Sequence, residues 1–201
     1  MRIIKITLLF IAISTLTNCA SGYKMIEPKS INYVSTNETD NVKLEYKYDL
    51  LDKKYAKKEL KKGVKLVAVK VSNNSNKDLM FGRDAKLIYE NGAEIFVMEN
   101  EKVFKTLKQS PASYLWYLLL TPLNFYTAEN GEQTSSTPIG LVVGPGLAGG
   151  NMIAAGSANK KFKTEMLEYN INGTIIKKGE TKYGLIGIKS DSFDAIKLKI
   201  E

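Results

Sequence analysis

Cys19 is the one thiol in a chain of 201 residues that contains no histidine, and these two facts bound the chemistry open to it. Without histidine, Ser-His-Asp and Cys-His nucleophile systems and histidine-bearing metal sites lack their base or ligand. With one cysteine no intramolecular disulfide forms. What remains is chemistry at Cys19 itself and carboxylate chemistry. Glycosidase-type catalysis needs only two carboxyl groups flanking one bond, and Asp49 with Asp52, or Glu165 with Glu168, are pairs that could be proposed; solvated surface carboxylates are the expectation for each. Gly140, Gly144, Gly146, Gly149 and Gly150 crowd one stretch, but no Gly-Lys-Ser/Thr ending follows and no GxGxxG lies between a strand and a helix. No catalytic residue, metal or cofactor is assigned, and the chain is read as not an enzyme.

The setting of Cys19 is more specific. Arg2 and Lys5 supply a basic start, residues 6–18 are uncharged and rich in apolar side chains, and the combination is that of a signal peptide. A membrane-spanning helix needs about 20 apolar residues, more than this run provides. Leu16-Thr17-Asn18-Cys19 resembles the lipobox of diderm bacterial lipoproteins, with leucine three places before the cysteine; Asn18 stands where Gly or Ala is commoner. The resemblance implies cleavage before Cys19, a diacylglycerol thioether on its sulfur with fatty acyl (palmitate) chains, and residence in the cell envelope with membrane lipid as the partner. Ala20 and Ser21 carry no acidic retention signal after the cysteine, which favours the outer membrane.

Loss of Arg2 and Lys5 with the signal leaves 27 of the 29 basic side chains against 21 acidic ones, a formal net charge of about +6. A chain of about 180 mature residues makes one domain with room for a core of its own. Its basic balance suits anionic head groups or acidic polymers. No nucleic-acid partner is expected, because the lysines are scattered and no reading motif is present.

Residues 19–40 are polar and irregular, with Pro28 and a Ser/Thr/Asn-rich stretch at 35–40, and read as the lipidated N-terminus and a tether. The folded domain is expected over residues 41–201. Val42, Leu44, Tyr46, Tyr48 and Leu50 alternate with polar neighbours, the period of a half-buried strand. Residues 52–62 hold six lysines and read as a short exposed helical turn or a loop, or functionally as a basic patch on anionic lipid. The run VKLVAVKV over 64–71, closed by Ser72-Asn73-Asn74-Ser75-Asn76, is the clearest strand. Further strands follow at 79–81, 86–89 and 94–98, the last two joined by an Asn91-Gly92 hairpin turn, and then at 174–176, 183–188 and 196–200.

LVAVKVSNNSNKDLMF and, much later, IIKKGETKYGLIGI with an alternating terminal strand resemble small bacterial lipoproteins that carry an immunoglobulin-like β-sandwich domain of unknown function. The resemblance spans residues 42–98 and 165–201, about half the chain. It implies a mainly β fold, an immunoglobulin-like antiparallel sandwich, and a binding or scaffolding role without catalytic residues. Short, regularly spaced strands point to the same architecture on their own.

The middle departs from a plain sandwich. Residues 109–128 and 133–159 carry no charge and read as an apolar, helical hairpin insertion broken only by Glu129-Asn130-Gly131-Glu132. Pro122, Pro138 and Pro145 are expected to interrupt its helices. The expectation is that it folds over an open face of the sandwich. Two alternatives remain: entry into the leaflet that holds the acyl chains, or a docking surface for an envelope protein or a second copy. Trp116, Tyr117, Leu118, Leu119, Leu141, Val142 and Val143 are the candidate contact residues, with Trp116 and Tyr117 suited to a head-group boundary. A membrane-inserting assembly component working through residues 109–159 is the alternative to the binding module.

Overall fold

The computed structural model describes residues 19–201; the expected signal peptide, residues 1–18, lies outside them. The chain divides into two compact units. A sheet unit comprises Tyr23–Lys108 and Asn159–Glu201, and a hairpin unit comprises Gln109–Ala158 with the described residues 19–22.

In the sheet unit, β1 (Ser35–Thr39), β2 (Val42–Lys47), β3 (Val64–Asn73), β11 (Thr181–Lys189) and β7 (Val97–Met98) form one antiparallel sheet in the order β1-β2-β3-β11-β7. A second sheet has the order β12-β5-β6, from Ile196–Ile200, Ala85–Tyr89 and Glu94–Ile95. β4 (Leu79–Met80) pairs with β10 (Ile175–Ile176). The alternation read in the sequence is the burial pattern of β2, where Val42, Leu44 and Tyr46 face inward. These side chains share one core with Val67, Val69 and Val71 of β3, Ile186 and Ile188 of β11, Leu87 of β5 and Leu198 of β12, so the two larger sheets bury apolar faces in common.

Strands in several antiparallel sheets make up most of the regular structure, and helices accompany them. α1 (Lys53–Lys62) and α2 (Asn100–Leu107) pack on β3, which explains why that strand is apolar on both faces, with Leu66 and Ala68 as buried as Val67 and Val69. Gly187 of β11 lies so close to α2 that an added Cβ would collide with Val103. α1 occupies the lysine-rich stretch read as a short exposed helical turn or a loop, and runs for ten residues. Its lysines are largely solvated, but Tyr55 and Glu59, one helical turn apart, are buried, and Gly63 closes the helix in the left-handed conformation (φ 57°).

The stretch 35–40 assigned to the tether contains a strand. Asp40 and Asn41 both have positive φ (51° and 62°), the requirement of a tight two-residue hairpin turn, and they join β1 to β2 with Thr39 opposite Val42. β1 is polar, and only the backbone ladder marks it as a strand.

The hairpin unit contains a 3-10 helix (Pro111–Leu120), the two-stranded β8–β9 hairpin (Phe125–Glu129, Glu132–Thr137) and most of α3 (Gly140–Glu168), which continues into the sheet unit. Pro145 does not interrupt α3 as expected. It stands in the second turn, where its ring removes the donor for a single carbonyl, and the helix continues for more than twenty residues beyond it.

One buried titratable group leaves a signature in stability. The Glu59 carboxylate accepts the Leu66 N–H at 2.6 Å. Nearby Lys65 is buried, its Nζ lying 3.9 Å from the centre of the Phe193 ring and lacking a hydrogen-bond partner among the described residues. Burial pushes the Glu59 carboxyl up from 4.5 to about 7, although the Leu66 N–H and the Lys65 charge both favour its ionised form. Folding therefore takes up a proton between those values, and stability falls as pH rises through that window. Urea unfolding of Glu59→Gln beside the wild type, from about pH 5 to about pH 8, is expected to show the wild type losing up to about 3 kcal/mol more than the variant across the window; parallel profiles would refute the assignment.

Candidate functional site

The site is built around Cys19 and begins with the pitch of the 3-10 helix. At three residues per turn, side chains three apart stand in one row. Tyr114, Tyr117 and Leu120 form the inward row: the two tyrosine rings are parallel within 3°, 6.4 Å between centres, and pack with Ala148 and Ala155 of α3. Leu115 and Leu118 form a second row and Trp116 and Leu119 a third, all exposed. Trp116 and Tyr117, both expected at a head-group boundary, are thereby separated. Trp116 faces outward, while Tyr117 is buried in the small core of the unit.

α3 meets this helix through its smallest residues. A Cβ on Gly140 would strike the carbonyl oxygens of Leu120 and Thr121, and one on Gly144 would come within 2.9 Å of Thr121 Oγ1. Gly140, Gly144, Ala148, Asn151 and Ala155, spaced at three or four residues, are the buried positions along this stretch. Leu141, Val142 and Val143 are exposed.

The chain emerging from Cys19 is fixed to this core by two amides. Gln109 Nε2 donates to the Ser21 carbonyl at 2.6 Å, and its Oε1 accepts the Ser21 N–H at 3.1 Å. Asn151 Oδ1 accepts the Ala20 N–H at 2.5 Å, while its Nδ2 donates to the Leu147 carbonyl at 2.7 Å. Cys19 itself is exposed, with its sulfur beside the Tyr117 hydroxyl. Burial, then the neighbouring thiol, raise the pKa of that hydroxyl. A thioether at Cys19 would lack the ionisable proton and leave only the steric neighbourhood.

In the sheet unit the next residues are held as firmly. The Glu165 carboxylate, fully buried, accepts the Tyr23 hydroxyl at 2.6 Å and the backbone N–H groups of Ile26 and Glu27 at 2.8 and 2.7 Å. Burial and this carboxylate hold the Tyr23 hydroxyl protonated far above its ordinary range. The Tyr23 ring packs against Tyr55 and Phe162, with centroids 5.3 and 5.1 Å away. Glu165 is therefore an acceptor for the entering chain, whereas Glu168 is exposed, so the two do not face one another across a cleft. Asp49 and Asp52 are both exposed, and the Asp52 carbonyl starts α1 by accepting from Tyr55 and Ala56.

Gln109 and Asn151 were missed at the level of sequence, and Glu165, expected to be a solvated surface carboxylate, is buried. The usable signal for the two amides was their isolation: Gln109 opens the uncharged stretch and Asn151 is the single polar side chain between Gly140 and Gly156, and a buried polar group among apolar neighbours needs a partner. Among the described residues no group of three Cys, Asp or Glu side chains is placed to hold a metal ion. Compared with known families, curated proteins and solved structures, the chain matches none.

Gln109→Ala removes the partner of both Ser21 backbone groups and leaves them buried. The expected result is a local opening free energy lower by about 1–3 kcal/mol, read as roughly 5- to 150-fold faster amide exchange at Ser21; an unchanged rate would mean that the clamp does not hold the segment.

Proposed function

We propose that this chain is a lipid-anchored cell-envelope protein, a non-catalytic binding or scaffolding module whose acylated N-terminus is Cys19. The carrying observation is the place of that cysteine. The sole thiol follows a basic start and an apolar run at Leu16-Thr17-Asn18-Cys19, and it stands exposed where the following two residues are hydrogen-bonded to the folded chain. A mature lipoprotein carries two or three acyl chains, which suffice for retention where a single chain binds only marginally. The outer membrane is the favoured location, because Ala20 and Ser21 supply no acidic retention signal.

The two larger sheets that bury one core in common support reading the sheet unit as an immunoglobulin-like sandwich. In this reading α1 and α2 are additions that cover the far face of β3, and the unit presents surfaces for a partner rather than a catalytic cleft.

A second reading rests on α3, which is long and apolar enough by length and composition to cross a membrane, with 28 % of its most apolar stretch buried. In that reading the protein is a membrane-inserting assembly component working through residues 109–159.

The two are separated by intact mass of the membrane-extracted protein together with an alkaline-carbonate wash of a Cys19→Ala variant exported behind a cleavable signal. The first reading predicts a chain that begins at an acyl-modified Cys19 and a variant that washes off the membrane. A mature chain without acyl mass would overturn the anchor, and a variant that resists the wash would favour insertion.

A further inference from the structure

Exposed apolar surface is concentrated in the hairpin unit. Twelve of the nineteen large apolar side chains that stand exposed among the described residues belong to residues 115–153, although this unit is much the smaller of the two. That is a higher density than the single exposed apolar side chains normal on a soluble surface. Trp116 (73 % exposed) and Leu119 lie in one row of the 3-10 helix, while Val142 and Ile153 (both 76 % exposed) lie on α3 outside its buried Gly140–Gly144–Ala148–Asn151–Ala155 face. On α3, Gly146, Gly149 and Gly150 have open space where a Cβ would stand. Gln109–Ala158 carries charge only at Glu129 and Glu132, the two residues flanking the tip of the β8–β9 hairpin.

We propose that this exposed apolar surface of the hairpin unit lies in the head-group boundary of the leaflet that holds the protein's own acyl chains. The proposal rests on the preceding reading of Cys19 as acylated. Three observations select lipid as the occupant. The acyl attachment point belongs to this same unit, because Asn151 and Gln109 clamp Ala20 and Ser21, the two residues next to it. The acyl chains therefore keep the face close to the leaflet, and a contact too weak to bind from solution is populated at high effective concentration. The face also offers a lipid boundary what it accepts: an aromatic ring with a polar edge at Trp116, aliphatic side chains, and no charge to desolvate. Finally, a protein partner would need polar groups to fix its register, and the row of Trp116 and Leu119 offers one hydroxyl, Ser113, which already donates to the Ser110 carbonyl. The acyl chains retain the protein, and the face orients the unit that carries them.

Trp116 is the single tryptophan of the chain and reports on this directly. The native acylated protein is reconstituted into phosphatidylethanolamine–phosphatidylglycerol vesicles, with lipids brominated either near the head group or near the chain end. Blue-shifted Trp116 emission that loses more than half its intensity to the shallow label, and less to the deep one, is the expected result. The same protein carrying Leu119→Asp, Val142→Asp and Ile153→Asp, all at exposed positions, is expected to lose both the shift and the quenching while its intact mass still shows the acyl chains. Water-like emission unaffected by either label overturns the proposal, and so does stronger quenching by the deep label, which would mean insertion. A blue shift that brominated lipid does not quench and that grows with protein density assigns the face to a second copy and likewise overturns it. The anchor is read separately from the mass, so acylated protein with a solvated Trp116 refutes the face alone, whereas unmodified protein refutes the anchor.

Discussion

A single buried carboxylate decides how this chain begins. Glu165, fully buried in the sheet unit, accepts three hydrogen bonds from Tyr23, Ile26 and Glu27. An ionised carboxylate taken out of water costs several kcal/mol unless its lone pairs are met, and here the donors that meet them come from the segment nearest the proposed anchor. The dependence is mutual: the Ile26 N–H and the Tyr23 hydroxyl would be buried without a partner, and the part-buried Glu27 N–H would lose its acceptor, if the carboxylate were gone. Tyr23 then joins Tyr55 and Phe162 in an aromatic cluster, and residues expected to trail as a tether become part of the fold.

The two units meet the demand for burial in different ways. The sheet unit closes a core of its own from branched aliphatic side chains on facing strands, and close approach is reserved for places such as Gly187 against Val103. The hairpin unit brings backbone against backbone. Gly140 and Gly144 let α3 approach the 3-10 helix until an added methyl group has no room, and Tyr114 and Tyr117 fill the space further along. A small core made this way buries few of the large side chains the unit carries. The rest face outward, and lipid is the proposed neighbour that meets them.

The sequence was legible wherever a side chain alternates with the pleat or a turn needs a particular residue. The β2 alternation, the branched β3 run and the Asn91-Gly92 turn, where Gly92 has φ 82°, all appear where the pattern placed them. The Asn-rich turn and the Gly-Glu-Thr segment meet as well: the Asn73 carbonyl accepts the Gly179 N–H, and the Asn73 N–H donates to the Glu180 carbonyl. What stayed hidden depends on partners distant in sequence. β1 is written Ser-Thr-Asn-Glu-Thr and is a strand only because β2 offers it a ladder. α1 was legible as a helical turn or a loop, but the solvated charge of its lysines masks its ten-residue length and two buried side chains one turn apart. The apolar character of residues 109–159 was plain, yet which residues face outward was not, because a 3-10 pitch sorts Trp116 and Tyr117 differently from an α-helical one. Of the site, Cys19 could be read directly, while the amides and the carboxylate that fix its neighbours could not.

All of this turns on the chain that follows Cys19 being part of the folded protein rather than a flexible leash. Backbone nitrogen-15 relaxation of residues 19–201, the proposed mature chain, in detergent tests it most directly, through the order parameters of residues 20–27. Rigid values near about 0.85, like those of β3, are what the Gln109, Asn151 and Glu165 contacts predict; values below about 0.6 across the segment would contradict them.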